Sequence, residues 1–358
     1  MENNINDLFP ADSGSGKDKS RLDIERVNIA LLFMIILPEV LLLAGVGRLL
    51  KTYVSQILFS QVVYAAPILF YLLFVKKNPE PCRFNKIRIS TVFLCFLMYL
   101  CLLPVTTFLN AVSFLYSDNQ IGDVMFNISS EVPYPVALLC AAILPAFFEE
   151  LNFRGVVYNT YRKVNPFGAI LMSGLLFGLL HGNLNQLTYT VFLGVIFALI
   201  VEATDSIFST MIVHCLVNGF STTMLYLLPK AVEYLNNLLI EAESANDTMT
   251  QSMLENLFGE DGISAEQILG GEGTVYTRAD ILASVRQAFI PALIGGILAF
   301  LLYRFIAKRC GRWEHICDIF RKREKTGRIF SGPLAVAVTL MFIIMILNEL
   351  IARGIILS

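Results

Sequence analysis

Nine apolar stretches, at roughly 27–46, 54–75, 91–110, 133–158, 166–183, 187–203, 206–228, 286–306 and 333–352, restrict what this 358-residue chain can fold into. Each is close to the ~20 residues that a helix needs to cross a ~30 Å hydrocarbon core. Backbone in hydrocarbon must satisfy its own hydrogen bonds, and the alternation of a β-barrel strand is absent, so all nine are expected to be helices. Charged residues are only 16% of the chain, against about 25% in soluble domains, and 56% is hydrophobic. The expected fold class is therefore all-α, a polytopic membrane bundle of about nine helices. No cleavable signal peptide is expected, because the first apolar stretch starts too late and is long enough to span. The net charge of -2 gives no support to nucleic-acid binding.

The chain divides into a polar tail at 1–26, three spans within 27–132, four spans within 133–228, an acidic extramembrane insertion at 229–285, and two spans with a basic loop at 286–358. Lysine and arginine mark alternate loops. The second and third spans are joined through Lys76, Lys77, Arg83, Lys86 and Arg88, the fourth and fifth through Arg162 and Lys163, and the eighth and ninth through a run from Lys308 to Arg328. The opposite loops are poor in base, although the short first loop, with Arg48 and Lys51, points the other way. By the positive-inside rule the N-terminus is expected to be cytoplasmic and the C-terminus outside. All seven cysteines avoid the expected outer loops, which fits free thiols, and Cys310 with Cys317 are too loosely spaced for a zinc pair. Within the insertion, Val232, Leu235, Leu238 and Leu239 share one side, so an amphipathic helix lying on the membrane or across the bundle is expected at 230–243, and 269–273 reads as a hinge or loop.

Ionised side chains at membrane depth cost at least ~2.5 kcal/mol each and are presumed functional. Glu149, Glu150 and Arg154 lie within the fourth span. Glu150 and Arg154 are four apart and can pair on one helix face, while Glu149 lies about 100° round and stays free to act. His181 ends the fifth span, four residues after Phe177. His214 and Asn218 share a face of the seventh. A helical hairpin turning at Asn165 and Pro166 would carry Glu149 and His181 to similar depth, about 24 Å from the turn. A converging acid and imidazole can act as a general-base pair. Polar ends at Asn183 and Asn185 could help to open a wet cavity. Duller readings stand beside these: a structural Glu150–Arg154 pair, histidines serving as interhelical hydrogen-bond donors, and Phe177 as packing.

Glu-Glu-x-x-x-Arg at 149–154, Phe-x-x-x-His at 177–181 and His-x-x-x-Asn at 214–218, in that order, resemble the motifs of the CAAX prenyl protease and bacteriocin-processing (CPBP, or Abi) family of intramembrane proteases, which are often labelled metalloproteases. The resemblance covers roughly 133–228 and implies a catalytic core there, enclosing a cavity. It implies that Glu149, with His181, activates a water, that His214 and Asn218 stabilise the oxyanion, and that Glu150, Arg154 and Phe177 support the site. The substrate class it implies is a membrane-associated or lipid-modified peptide or protein, with the bilayer as the other partner and a bacterial cell membrane as the location. No cofactor is required by this reading. Glu149, His181 and His214 could instead offer three ligands to a divalent metal such as zinc. The competing readings are a non-proteolytic scaffold or sensor of the same fold, and a transporter, because Glu39 in the first span has no part in the protease account. Glu202 and Glu349 have none either.

Overall fold

The structure, a computed structural model, describes residues 16–75, 82–117, 128–129, 131–245, 248–249 and 277–356. Most of the polar tail, Lys76, Lys77, and the larger part of the acidic insertion with its 269–273 loop lie outside the described residues. Among the described residues the bundle is built from ten helices: α1 (Gly16–Leu43), α2 (Tyr53–Phe70), α3 (Ile89–Ser113), α4 (Tyr134–Tyr161), α5 (Pro166–Leu180), α6 (Leu184–Thr204), α7 (Ile207–Ser244), α8 (Arg278–Arg309), α9 (Trp313–Lys322) and α10 (Gly332–Ala352). No strand occurs among the described residues. Eight of these ten helices are long and apolar enough to cross a membrane. The expected fifth span is shorter, since α5 has 15 residues, about 22 Å at 1.5 Å each. This is a polytopic helical bundle, integral to a membrane.

The α5 start follows from local chemistry. Asn165 accepts a hydrogen bond from the Gly168 N–H at 2.9 Å, and Pro166 takes the first helical position, where no donor is needed. The helix then packs against α6 through glycines. A Cβ on Gly174 would lie 2.5 Å from Val195 Cγ2 and 2.9 Å from the Val195 backbone nitrogen, and one on Gly194 would lie 2.7 Å from the Gly174 Cα. Close backbone approach through small residues is how helices associate where lipid is as apolar as leucine. Gly174→Val is therefore expected to destabilise the fold by about 1–3 kcal/mol through overpacking, read as a lowered thermal transition in detergent.

One end of the bundle is organised by Glu202, a carboxylate with no solvent exposure near the C-terminus of α6. It pairs with Arg83 at 3.0 Å, Arg162 at 2.6 Å, Arg312 at 2.9 Å and His315 at 3.1 Å, and accepts from the Tyr158 hydroxyl at 2.9 Å. Asp205 adds a second acid, accepting from Arg83 Nε at 2.9 Å. Loops that the sequence marks as basic thus meet on one face, as alternate sidedness requires. At the opposite end, Asn348 donates to the Gly182 carbonyl, Arg353 to the Tyr116 carbonyl, and Asn185 to Ser113. Glu349 pairs with Arg353 at 2.7 Å. Glu202 and Glu349 are thereby structural anchors.

Two expectations are corrected. The amphipathic segment at 230–243 is not a separate helix. It continues α7, which runs 38 residues through Pro229 without a break. Val232 and Leu239 are buried as its periodicity requires, and a proline with no other stop signal does not end the helix here. Asn183 and Asn185 are not open cavity-lining ends. Both are buried, Asn183 accepting from the Gln186 N–H at 3.1 Å as the α6 cap and Asn185 bonded to Ser113.

Candidate active site

The helix that carries the two adjacent carboxylates is irregular at the point where they sit. Helix α4 widens into π-helical turns at Leu139–Ile143 and again at Leu151–Tyr158, immediately after Glu150. Such turns recur at functional sites. Pro145 has no N–H to give to the Ala141 carbonyl one turn back, and Asn218 Nδ2 donates to that carbonyl at 3.3 Å. Residues Leu151–Tyr158 are all buried, so Arg154 must find its partners inside the bundle.

Arg154 has no exposed surface. Nη1 donates to Glu150 Oε1 at 2.8 Å and Nη2 to the Gly194 carbonyl at 3.0 Å. Its guanidinium also lies over the rings of Phe177, at 4.4 Å, and Phe197, at 5.0 Å, where the ring quadrupole favours a cation. Glu150, equally buried, accepts a second bond from His214 Nδ1 at 3.1 Å. A carboxylate can only accept, so Nδ1 carries the proton and Nε2 is an acceptor. Asn218 Nδ2 donates to that Nε2 at 3.2 Å. The chain Arg154, Glu150, His214, Asn218 is therefore continuous and fixes the His214 ring and its tautomer. Sequence spacing pairs Glu150 with Arg154 and His214 with Asn218 but does not join the two pairs.

His181 follows the last residue of α5. Its Nδ1 lies 2.8 Å from the Phe177 carbonyl, which can only accept, so here too Nδ1 carries the proton and Nε2 is left as an acceptor. The Phe177 ring stands at 5.1 Å from the His181 ring and 5.7 Å from that of His214, and so separates the two imidazoles while packing on both. His181 lies within electrostatic reach of Glu149, His214 and Arg154. Glu149 is different in kind from Glu150. Its side chain keeps 19% exposure, and Oε2 lies 4.0 Å from His214 Nε2 with no hydrogen-bond partner among the described residues. One carboxylate is thus spent on orientation and the other is open.

All seven singled-out residues, Glu149, Glu150, Arg154, Phe177, His181, His214 and Asn218, are brought to one place. Gly194, Phe197 and Ala141 join them without any mark in the sequence, because two contribute only a backbone carbonyl and the third only a ring face. No three His, Cys, Asp or Glu side chains among the described residues are grouped to hold a metal ion. To bind one, His214 Nε2 would first have to release Asn218. Glu39 is exposed on α1 and bonds to none of these residues among the described residues, although it and Glu149 both lie within electrostatic reach of Tyr64.

Residues 131–220 match the family model described as Type II CAAX prenyl endopeptidase Rce1-like. Over 91 residues the chain is 30% identical to a protein of Bacillus subtilis (strain 168) named "Putative membrane peptidase YdiL", an alignment covering 25% of this chain and 37% of that protein. The chain therefore spans little more than a third of the length of that relative. No solved structure matches. The matched segment contains every member of the network from Glu149 to Asn218, and over that quarter of its length the chain is similar to the type II CAAX prenyl endopeptidase Rce1-like family.

Proposed function

We propose that the protein is an intramembrane endopeptidase in which Glu149 activates a water against a peptide carbonyl of a membrane-associated or lipid-modified chain. The observation that carries this reading is the asymmetry of the two carboxylates: Glu150 Oε1 is bound by both Arg154 and His214, whereas Glu149 forms no hydrogen bond among the described residues and its Oε2 faces His214 Nε2 at 4.0 Å. The Nε2 of His181 and the Glu149 carboxylate are both acceptors, suited to hold the two protons of one water. Glu149 takes a proton as the water oxygen bonds to the carbonyl carbon, and passes it to the leaving amine nitrogen as the C–N bond breaks. The amide of Asn218, released from His214 Nε2, supplies an N–H to the developing oxyanion, a contribution that can reach several kcal/mol in a low-dielectric site. Phe177 and Arg154 act by holding this arrangement.

Zinc has no step in this reading; were a metal bound, the Nδ1 bonds to Phe177 and Glu150 would leave both Nε2 atoms to ligate it, that of His214 once Asn218 releases it. The test is cleavage of a membrane-inserted reporter peptide by the protein in liposomes, with and without a lipid anchor on the peptide. His181→Ala is expected to reduce the rate by ~10²-fold or more, and a chelator to leave it unchanged. Parent-like cleavage by His181→Ala would remove the two-acceptor account. A chelator-sensitive parent rate would replace it with metal chemistry. Comparison of the two peptides decides whether a lipid anchor is read.

A further inference from the structure

A cavity of about 440 Å³ lies between α3, α6, α8 and the short helix α9, away from the carboxylates. Its wall is almost wholly apolar, including Met98, Phe192, Gly296, Ala299 and Trp313. The geometry of α8 makes it a cavity. A Cβ on Gly295 would meet the Cys101 carbonyl and Pro104 at 2.6 Å, so the two helices touch there, whereas one on the neighbouring Gly296 would meet only Val105, at 3.9 Å. Helix α9 closes the basic end, with Ile316 and Ile319 buried beneath it and Arg321 and Lys322 in its last turn.

Three polar groups stand toward that end without a hydrogen-bond or ion-pair partner among the described residues. The Tyr303 hydroxyl, on the cavity wall, is buried and has no hydrogen-bond partner. Arg304 lies over the Trp313 ring at 5.6 Å, and Lys308 follows one turn later on the same face, and neither forms an ion pair among the described residues. From Arg304 to Arg328 the sequence holds nine Lys or Arg against three acids, Glu314, Asp318 and Glu324. Asp318 is itself paired with Arg321 and Lys322. A hollow lined by hydrocarbon, ending in a phenol and two unpaired cations, matches one molecule with an apolar chain and an anionic head.

We propose that this cavity binds one acyl chain of an anionic phospholipid, with its phosphate at Arg304 and Lys308 and a head-region oxygen accepting from Tyr303. The site is separate from the peptidase reading and does not depend on it. Native mass spectrometry of the full chain, supplied with phosphatidylglycerol or phosphatidylcholine of the same acyl composition, tests it. Two cations near the headgroup predict roughly thirty-fold preference for phosphatidylglycerol. The double variant Arg304→Gln/Lys308→Gln is expected to bring that preference close to parity, and Gly296→Leu or Ala299→Leu to abolish retention of both lipids. Equal retention of the two lipids by the parent protein would overturn the proposal. So would undiminished phosphatidylglycerol binding with the cavity filled.

Discussion

Glu149→Gln is expected to reduce peptide cleavage by about 10²- to 10⁴-fold, the usual contribution of a positioned general base. Its thermal unfolding should stay within about 0.5 kcal/mol of the parent, as for a substitution that breaks no existing contact. The two readouts part because Oε2 has no partner to lose and the amide is nearly isosteric. A protein that has lost activity by misfolding would show both changes. The same substitution at Glu150 should show both, since that side chain is wholly buried and holds Arg154 and His214. Cleavage by Glu149→Gln at the parent rate would leave the open carboxylate without a catalytic role, and the scaffold reading would then account for the same network.

The membrane helices are legible in the sequence because hydrocarbon allows few solutions: a long apolar run has to be helical, and charges within it have to be answered. Glu149, Glu150, Arg154, His181, His214 and Asn218 stand out for that reason alone, and the i,i+4 spacing of Glu150 and Arg154 foretells their contact. The bond from His214 to Glu150 is not legible, because it joins α7 to α4 and depends on how the two helices are rotated. Nor are the π-helical turns of α4, which leave no compositional mark, or the Gly194 carbonyl that receives Arg154. Glu202 shows the same limit from the other side. As a single acid near a span end it has no evident role, yet in the fold it collects Arg83, Arg162, Arg312 and His315 from three loops distant in sequence. The continuity of α7 is hidden because an amphipathic stretch after a proline resembles a new element.

Arg154→Met should be the most damaging single change to stability, by about 3–5 kcal/mol, because it leaves Glu150 buried with no cation except a His214 that would have to become charged. Methionine keeps much of the arginine's length and apolar stem, so the loss reports the missing charge more than a missing volume. The double variant Glu150→Leu/Arg154→Met removes both buried charges and is expected to recover most of that stability, since apolar replacements of a buried pair are often neutral or stabilising. Cleavage should not recover with it. Without Glu150, nothing accepts the Nδ1 proton of His214, the ring is free to change tautomer, and Asn218 loses the acceptor that now holds its amide. Thermal unfolding and peptide cleavage measured on the same preparations of the three proteins separate the two roles. A double variant that regains both stability and parent-like cleavage would show that the pair only fills the bundle. One that regains stability alone would assign Glu150 and Arg154 to positioning His214.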